Sequence, residues 1–333
     1  MPFPRSPFVL ILAACVPGGS TDDDRPPGPS RPGDAWIAYV ASATGEDEVW
    51  LVRDDGGRNV RVTNESLAGE LGGGRLLNPR LAWDGSQIAV HAGVGADGVT
   101  RGSSIWVLQS DGSSLHHLLE VDELLNVSWS GDSRDIYGPE PAAQCPTSLM
   151  RIESSGVADF ERFYTANIGG ASSPLVRPTN PNDVLFSDLP CATGTGALLL
   201  DVQRGVTTSL PVLDGVFISA WSADGSLVVG TRDGAVVVVD FDAGQVTNEF
   251  TDPDASFQFP QFAGSNKRVV ALERAPTIPH IAMIDLERQS VTRVGLPHDI
   301  SGTAVTWATL ASDPDRDGDG LGNAIDPAPD DPG

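Results

Sequence analysis

The sequence predicts an all-β fold, a closed propeller of six four-stranded blades, and three observations carry that expectation. An aromatic-plus-turn motif recurs at a nearly even interval along the 333 residues. Each copy leads into further short apolar runs separated by turn residues. The N-terminal copy lacks its first run, while the C-terminal copy has only that run. Composition agrees: Gly (37) and Pro (26) exceed a sixth of the chain, and few apolar stretches hold a 3.6-residue period beyond two turns.

The fullest copy is WSADGSLVVGTRDGAVVVVD, Trp221 to Asp240. Its first element recurs as LAWDGSQIAV (Leu81 to Val90) and VSWSGDSRDIYG (Val127 to Gly138), and more weakly as LVRPTNPNDVLFS (Leu175 to Ser187) and PQFAGSNKRVVAL (Pro260 to Leu272). The landmarks fall at 83, 129, about 176, 221, 262 and finally Trp307 in TAVTWATL, with intervals of 46, 47, 45, 41 and 45 residues. A period in the low-to-mid forties, with turn residues at set offsets, marks a four-stranded blade. Second strands are expected at Ile88–Val90, Ile136–Tyr137, Val184–Phe186, Leu227–Val229 and Val269–Ala271. Third strands are expected in IWVLQSDG (Ile105 to Gly112), LMRIESSG (Leu149 to Gly156), VVVVDFDAG (Val236 to Gly244) and IAMIDLERQ (Ile281 to Gln289), several ending in the Asp-Gly or Asp-Ala-Gly that a tight hairpin needs. Weaker fourth strands follow, as in VTTSL (Val206 to Leu210) and VTRVG (Val291 to Gly295).

WIAYVAS (Trp36 to Ser42), VWLVRDDG (Val49 to Gly56) and NVRVT (Asn59 to Thr63) supply a second, third and fourth strand with no first. Trp307 lies in a first strand with no second. Joining them in one blade closes the ring and removes the open edge between the first and last blades. Six landmarks then mean six blades.

The pattern resembles the TolB-type, WD-like propeller repeats of bacterial envelope proteins, whose blades carry Trp-Ser-Pro-Asp-Gly and Ile-Trp-Val-Met-like strands. WSADG at 221–225 and IWVLQSDG at 105–112 match it best, and the likeness spans residues 35–310. It implies that Trp83, Trp129, Trp221 and Trp307 pack between blades, with Trp50 and Trp106 in the core. TolB carries an α/β domain ahead of its propeller where this sequence has only a polar tether, so its Tol–Pal partners are not carried over.

The leader, residues 1–14, reads as an export signal: Arg5 precedes the apolar run Phe8 to Ala14, too short for a permanent span. Leu12-Ala13-Ala14-Cys15 resembles the bacterial lipobox, which implies acylation of Cys15. Val16 is not the Asp of an inner-membrane retention signal, so the outer membrane is the favoured destination. Residues 15–34, rich in Pro, Gly, Ser and Asp, lack the apolar surface to order themselves and read as a tether. Cys145 and Cys191 occupy equivalent connections, after the second strands of adjacent blades. In an oxidising compartment a Cys145–Cys191 disulfide is expected.

In the tail, 311–333, the loop DRDGDGLGNAID places Asp315, Asp317, Asp319 and Asp326 at positions 1, 3, 5 and 12, with Gly320 at position 6 and the Leu321 carbonyl at position 7. That spacing gathers oxygens around Ca²⁺, with Asn323 contributing directly or through water. The segment resembles thrombospondin type 3 and dockerin-like calcium repeats.

A net charge of −24 with no basic stripe excludes a nucleic-acid partner, and leaves the lipid as the only membrane attachment. No nucleophile elbow, zinc motif or phosphate loop is present. His116 and His117 are adjacent on an expected strand and therefore face opposite ways. Two functions follow: a non-catalytic, lipid-anchored interaction propeller of the bacterial cell envelope (its partner an envelope protein), or a secreted, lactonase-like hydrolase with a metal at the channel mouth. Converging carboxylates at that mouth would favour the second, an apolar or neutral channel the first.

Overall fold

A computed structural model describes residues 34–42, 47–63, 75–93, 103–121, 126–140, 148–156, 160–165, 171–187, 196–275, 278–302, 304–310 and 314. Their strands form six four-stranded antiparallel sheets, and the one helical segment among them is a 3-10 turn at Pro211–Leu213. Five sheets take four consecutive strands each: blade 2 begins at Arg75–Leu81, blade 3 at Ser128–Trp129, blade 4 at Ser172–Arg177, blade 5 at Phe217–Trp221 and blade 6 at Ser256–Phe262. Blade 1 combines Ala35–Ser42, Asp47–Arg53 and Asn59–Arg61 with the C-terminal strand Thr306–Thr309, which pairs antiparallel with Ala35–Ala38 and sets Trp307 opposite Ile37. The ring closes as the strand count at the two ends requires.

The core lies in the seams between blades. Along Ala35–Ser42 the pleat sends Trp36, Ala38 and Val40 into the seam with blade 2, and Ile37, Tyr39 and Ala41 into the seam with blade 6. Both faces are buried, which is why the strand reads as an unbroken apolar run. Val236 to Val239 repeats the pattern, with Val237 and Val239 packed toward blade 4 and Val236 and Val238 toward blade 6. Each such side chain contributes about 1.5–3 kcal/mol by leaving water.

Trp129 (3 % exposed) and Trp221 (2 %) are seam residues, as the repeat predicts. Trp129 Nε1 donates to the Arg80 carbonyl of blade 2 at 2.8 Å, and Trp221 Nε1 to the Leu175 carbonyl of blade 4 at 2.9 Å. Trp307 keeps this register and packs in the seam between blades 1 and 6, whereas Trp83 departs from it. Strand pairing makes Leu81, Trp129, Val176, Trp221, Phe262 and Trp307 equivalent, through their partners Ile88, Ile136, Val184, Val228, Val269 and Ile37. Trp83 therefore lies two residues beyond the equivalent position, on a turn and 36 % exposed, not packed between blades. Trp50 is buried as expected, whereas Trp106 is half-buried, its ring edge-on to His117.

The third strand of blade 4 (Ala197–Asp201) and the outer strands of blades 2 (Leu115–Val121) and 3 (Glu161–Thr165) carry no clear sequence signal. The last two have half-exposed faces and few β-branched residues.

Candidate functional site

The six inner strands surround the ring axis and enclose a cavity of about 470 Å³. All six blades line it. Aromatic rings supply much of the wall: Trp83, Trp129, Trp221, Phe262 and Trp307. The cavity reaches the hairpin turns between first and second strands, so those turns form its mouth.

Three of the turns, those of blades 2, 3 and 5, are built by an Asp that accepts from its own neighbours, a local alternative to sheet pairing. Asp84 Oδ1 takes Ser86 N and Oγ, Asp132 Oδ1 takes Ser130 Oγ, and Asp224 Oδ1 takes Ser222 Oγ and Ser226 N and Oγ. Adjacent turns are tied together at the rim. Asp84 N donates to Ser133 Oγ across blades 2 and 3, Arg177 Nε to the Gly225 carbonyl across blades 4 and 5, and Asn266 Nδ2 to Asp224 Oδ2 across blades 5 and 6. The blade 1–blade 2 junction needs a bare backbone: Gly85 has φ +69°, and a Cβ there would stand 2.3 Å from the Thr309 carbonyl oxygen.

Equivalent positions line the channel in all six blades, Arg80, Ser128, Leu175, Ala220, Gln261 and Thr306, whether or not the inner strand bulges. In blades 2, 4 and 6 the inner strand bulges between Leu77 and Arg80, between Ser172 and Leu175, and between Gln258 and Gln261. Each bulge contains a residue with positive φ followed by proline: Asn78-Pro79 (φ 49°), Ser173-Pro174 (φ 50°) and Phe259-Pro260 (φ 49°). Proline has no N–H for the ladder, and a bulge is where a strand tolerates it. The residues that follow, Arg80, Leu175 and Gln261, all line the cavity. The three X-Pro pairs were thus the sequence signal for the bulges, not for which residues line the channel.

Charge in the lining is sparse. Asp224 is its one carboxylate, and hydrogen bonds from Ser222 and then Ser226 hold it well below the usual carboxylate range. Arg80 is its one cation, 7 % exposed, and burial pulls its pKa down to about 10. Gln261 Oε1 is engaged by Thr306 Oγ1 at 2.9 Å and Trp307 N at 3.3 Å. Among the described residues no group of three His, Cys, Asp or Glu could hold a metal ion.

Cys15, Cys145 and Cys191, and the calcium-loop residues Asp315, Asp317, Asp319, Leu321, Asn323 and Asp326, lie outside the described residues. The histidine pair does separate: His117 meets Trp106 edge-on, while His116 Nε2 is hydrogen-bonded to the Ser154 carbonyl of blade 3. No sequence signal singled out Arg80, Ser128 or Gln261 in advance.

No protein-family model matches the sequence, and no curated protein matches it. Solved structures do. TolB from Acinetobacter baumannii superposes with a TM-score of 0.65 at 18 % identity, over 84 % of this chain and 68 % of that one. This chain's fold is a six-bladed β-propeller similar to that of TolB. A second structure assigned to TolB, from Agrobacterium tumefaciens, gives 0.53 at 14 % identity over 81 % and 91 % of the two chains. A chain of a nidogen/laminin complex gives 0.58 at 8 % identity over 84 % and 99 %. At these identities the likeness of the TolB-like ring to its neighbours is one of fold, and function rests on the channel itself.

Proposed function

We propose that the chain is an envelope lipoprotein, anchored through acylated Cys15 and directed to the outer membrane, whose propeller is a non-catalytic docking module for an envelope protein. The observation that carries the docking role is the channel mouth. It is a concave, aromatic-lined opening with an exposed Trp83 at its rim, and Trp is a residue type enriched where protein partners bind. Its single lining carboxylate is fully occupied by neighbouring hydroxyls and amides, which supports docking over metal-assisted hydrolysis. A neighbouring fold from a nidogen/laminin complex, itself a protein–protein assembly, supports the same reading. Among the described residues no helix is long and apolar enough to cross a membrane. The proposal includes the Cys145–Cys191 disulfide between blades 3 and 4, worth on the order of 2–4 kcal/mol, and Ca²⁺ held by the tail loop.

Site-specific photo-crosslinking in envelope preparations tests the docking face. A photoreactive residue at Trp83 should give a discrete protein adduct. The same residue at Val246, exposed on the outer strand of blade 5, should give none. Adducts at 246 and none at 83 would move the docking face away from the channel.

A further inference from the structure

We propose that the channel mouth is a seat for a proline-rich, basic peptide, and that its first occupant is this chain's own segment 25–33, docked on Trp83 in an extended polyproline conformation. A partner arriving at the mouth displaces it. The seat requires neither the lipid anchor nor an envelope protein and is read on the purified chain.

The chain enters the ring at the mouth. In blade 2 the first and second strands are joined by the turn 82–86, which carries Trp83, Asp84 and Gly85. Blade 1 has no such turn, because its first strand is Thr306–Thr309 and its second begins at Ala35. With Trp307 the counterpart of Leu81 and Ile37 that of Ile88, Thr309 stands in the place of Trp83 and Asp34 in that of Gly85. Segments 25–33 and 311–333 therefore join the body on the mouth side. Contacts fix the spot. Leu310 N donates to the Asp34 carbonyl at 3.2 Å, and a Cβ on Gly85 would stand 2.9 Å from Leu310 Cα. Segment 25–33 thus begins beside the turn that carries Trp83.

The seat is one indole set among small groups. Trp83, Ala223, Gly264 and Thr309, each two residues beyond its blade's landmark, are exposed and line the cavity, and only Trp83 is large. A polyproline segment suits such a surface. It has no internal hydrogen bonds to break, is already extended, and docks on exposed aromatic faces at low entropic cost.

Segment 25–33, RPPGPSRPG, has four prolines, two arginines and no acid. At about 3.1 Å per residue it reaches about 28 Å from Asp34, ample to pass over Trp83 and cross the mouth. Charge agrees. Asp84, Asp132 and Asp224 are exposed on the mouth turns of blades 2, 3 and 5, against Arg134 and a Lys267 already paired with Glu287. Segment 311–333 leaves from the same place, but its seven acidic residues and one arginine match the sign of those turns. Its Pro314 is buried and lies outside the cavity lining. Attachment makes weak docking sufficient. A short link holds the segment at an effective concentration on the order of 1 mM, so a dissociation constant below that keeps the seat filled.

The test uses the full chain carrying Pro26→Ser, Pro27→Ser, Pro29→Ser and Pro32→Ser, which empties the seat without altering any described residue. A synthetic peptide of residues 25–33 is titrated calorimetrically. It should bind this variant saturably below about 1 mM, and at least about threefold more weakly to the wild-type chain, whose own segment competes. Adding Trp83→Ala, at an exposed turn position, should weaken binding at least about tenfold. In the purified chain, a photoreactive residue at Ala223 should crosslink to residues 25–33, with a yield that Trp83→Ala lowers at least about fivefold. No peptide binding at millimolar concentration, equal affinity for the four-serine and wild-type chains, or binding indifferent to Trp83 would overturn the proposal. Crosslinks from position 223 to 311–333, or to a second copy, would overturn it by giving the seat to another occupant. Loss of the Trp83 adduct in envelope preparations with peptide binding retained would remove the docking role and leave this seat standing.

Discussion

Trp129 reaches across the seam between blades 3 and 2 to donate its indole N–H to the Arg80 carbonyl, and Trp221 makes the same bond to Leu175 one pair of blades further on. Each bond satisfies a backbone acceptor on an inner strand with a side chain from the next sheet, so the repeat's aromatic does more than fill space. Trp129→Phe and Trp221→Phe keep most of the apolar area and remove the donor. Each should cost about 1–2 kcal/mol in urea unfolding, and the double variant should lose the sum within about 0.5 kcal/mol because the seams share no contacts. Marked non-additivity would mean that the seams are coupled through the ring.

Two turn glycines separate backbone strain from seam packing. Gly205 (φ +64°) has nothing within 4 Å of where its Cβ would be, whereas Gly85 (φ +69°) faces the Thr309 carbonyl at 2.3 Å. Gly205→Ala should cost only the left-handed penalty, about 1 kcal/mol. Gly85→Ala adds a clash with the closing strand and should cost at least about 3 kcal/mol by chemical denaturation. Equal costs would show that the closing seam yields easily.

His91 on the second strand of blade 2 is 3 % exposed, and neither ring nitrogen has a partner. Burial pushes its pKa from 6.5 down to about 4. The folded state therefore prefers neutral imidazole while the unfolded chain takes up a proton more readily. The contribution is intact above pH 6.5 and is lost as pH falls from there towards 4, by on the order of 3 kcal/mol. His91→Leu should flatten that part of the stability profile relative to wild type and match or exceed its stability at pH 7. A wild-type profile with the same slope as the variant between pH 6.5 and 4 would refute the assignment.

Calcium binding by the tail is read by titrating the intact protein and its Asp315→Ala variant. Heat at millimolar Ca²⁺ in the first, lost in the second, is the expected result. No heat in either removes the loop as a site.

The ring was legible because a propeller repeats a local instruction. Trp36 to Ala41 is apolar at every position because both faces of its strand are buried, and Gly225 or Gly234 punctuates where a hairpin turns with positive φ. Even the closure could be counted from the missing strands at the two ends. Register was less legible. Trp83 looks like Trp129 in a string of letters, yet hydrogen bonding places Leu81 at that position and leaves Trp83 on the rim. An aromatic shifted by two residues keeps its face of the pleat, so periodicity alone does not expose the slip.

By itself the sequence determined the sheet count, the turns and the way the chain ends meet, since these depend on burial and backbone conformation within each unit of forty-odd residues. Only the tertiary structure decided that Arg80, Ser128 and Thr306, at one register position of three neighbouring inner strands, line the same cavity. Their meeting depends on three neighbouring blades held in register by bonds such as Leu81 N to Thr306 Oγ1 and Trp129 Nε1 to the Arg80 carbonyl. Side-chain direction after a bulge and the partners a ring brings within reach are properties of the assembled whole.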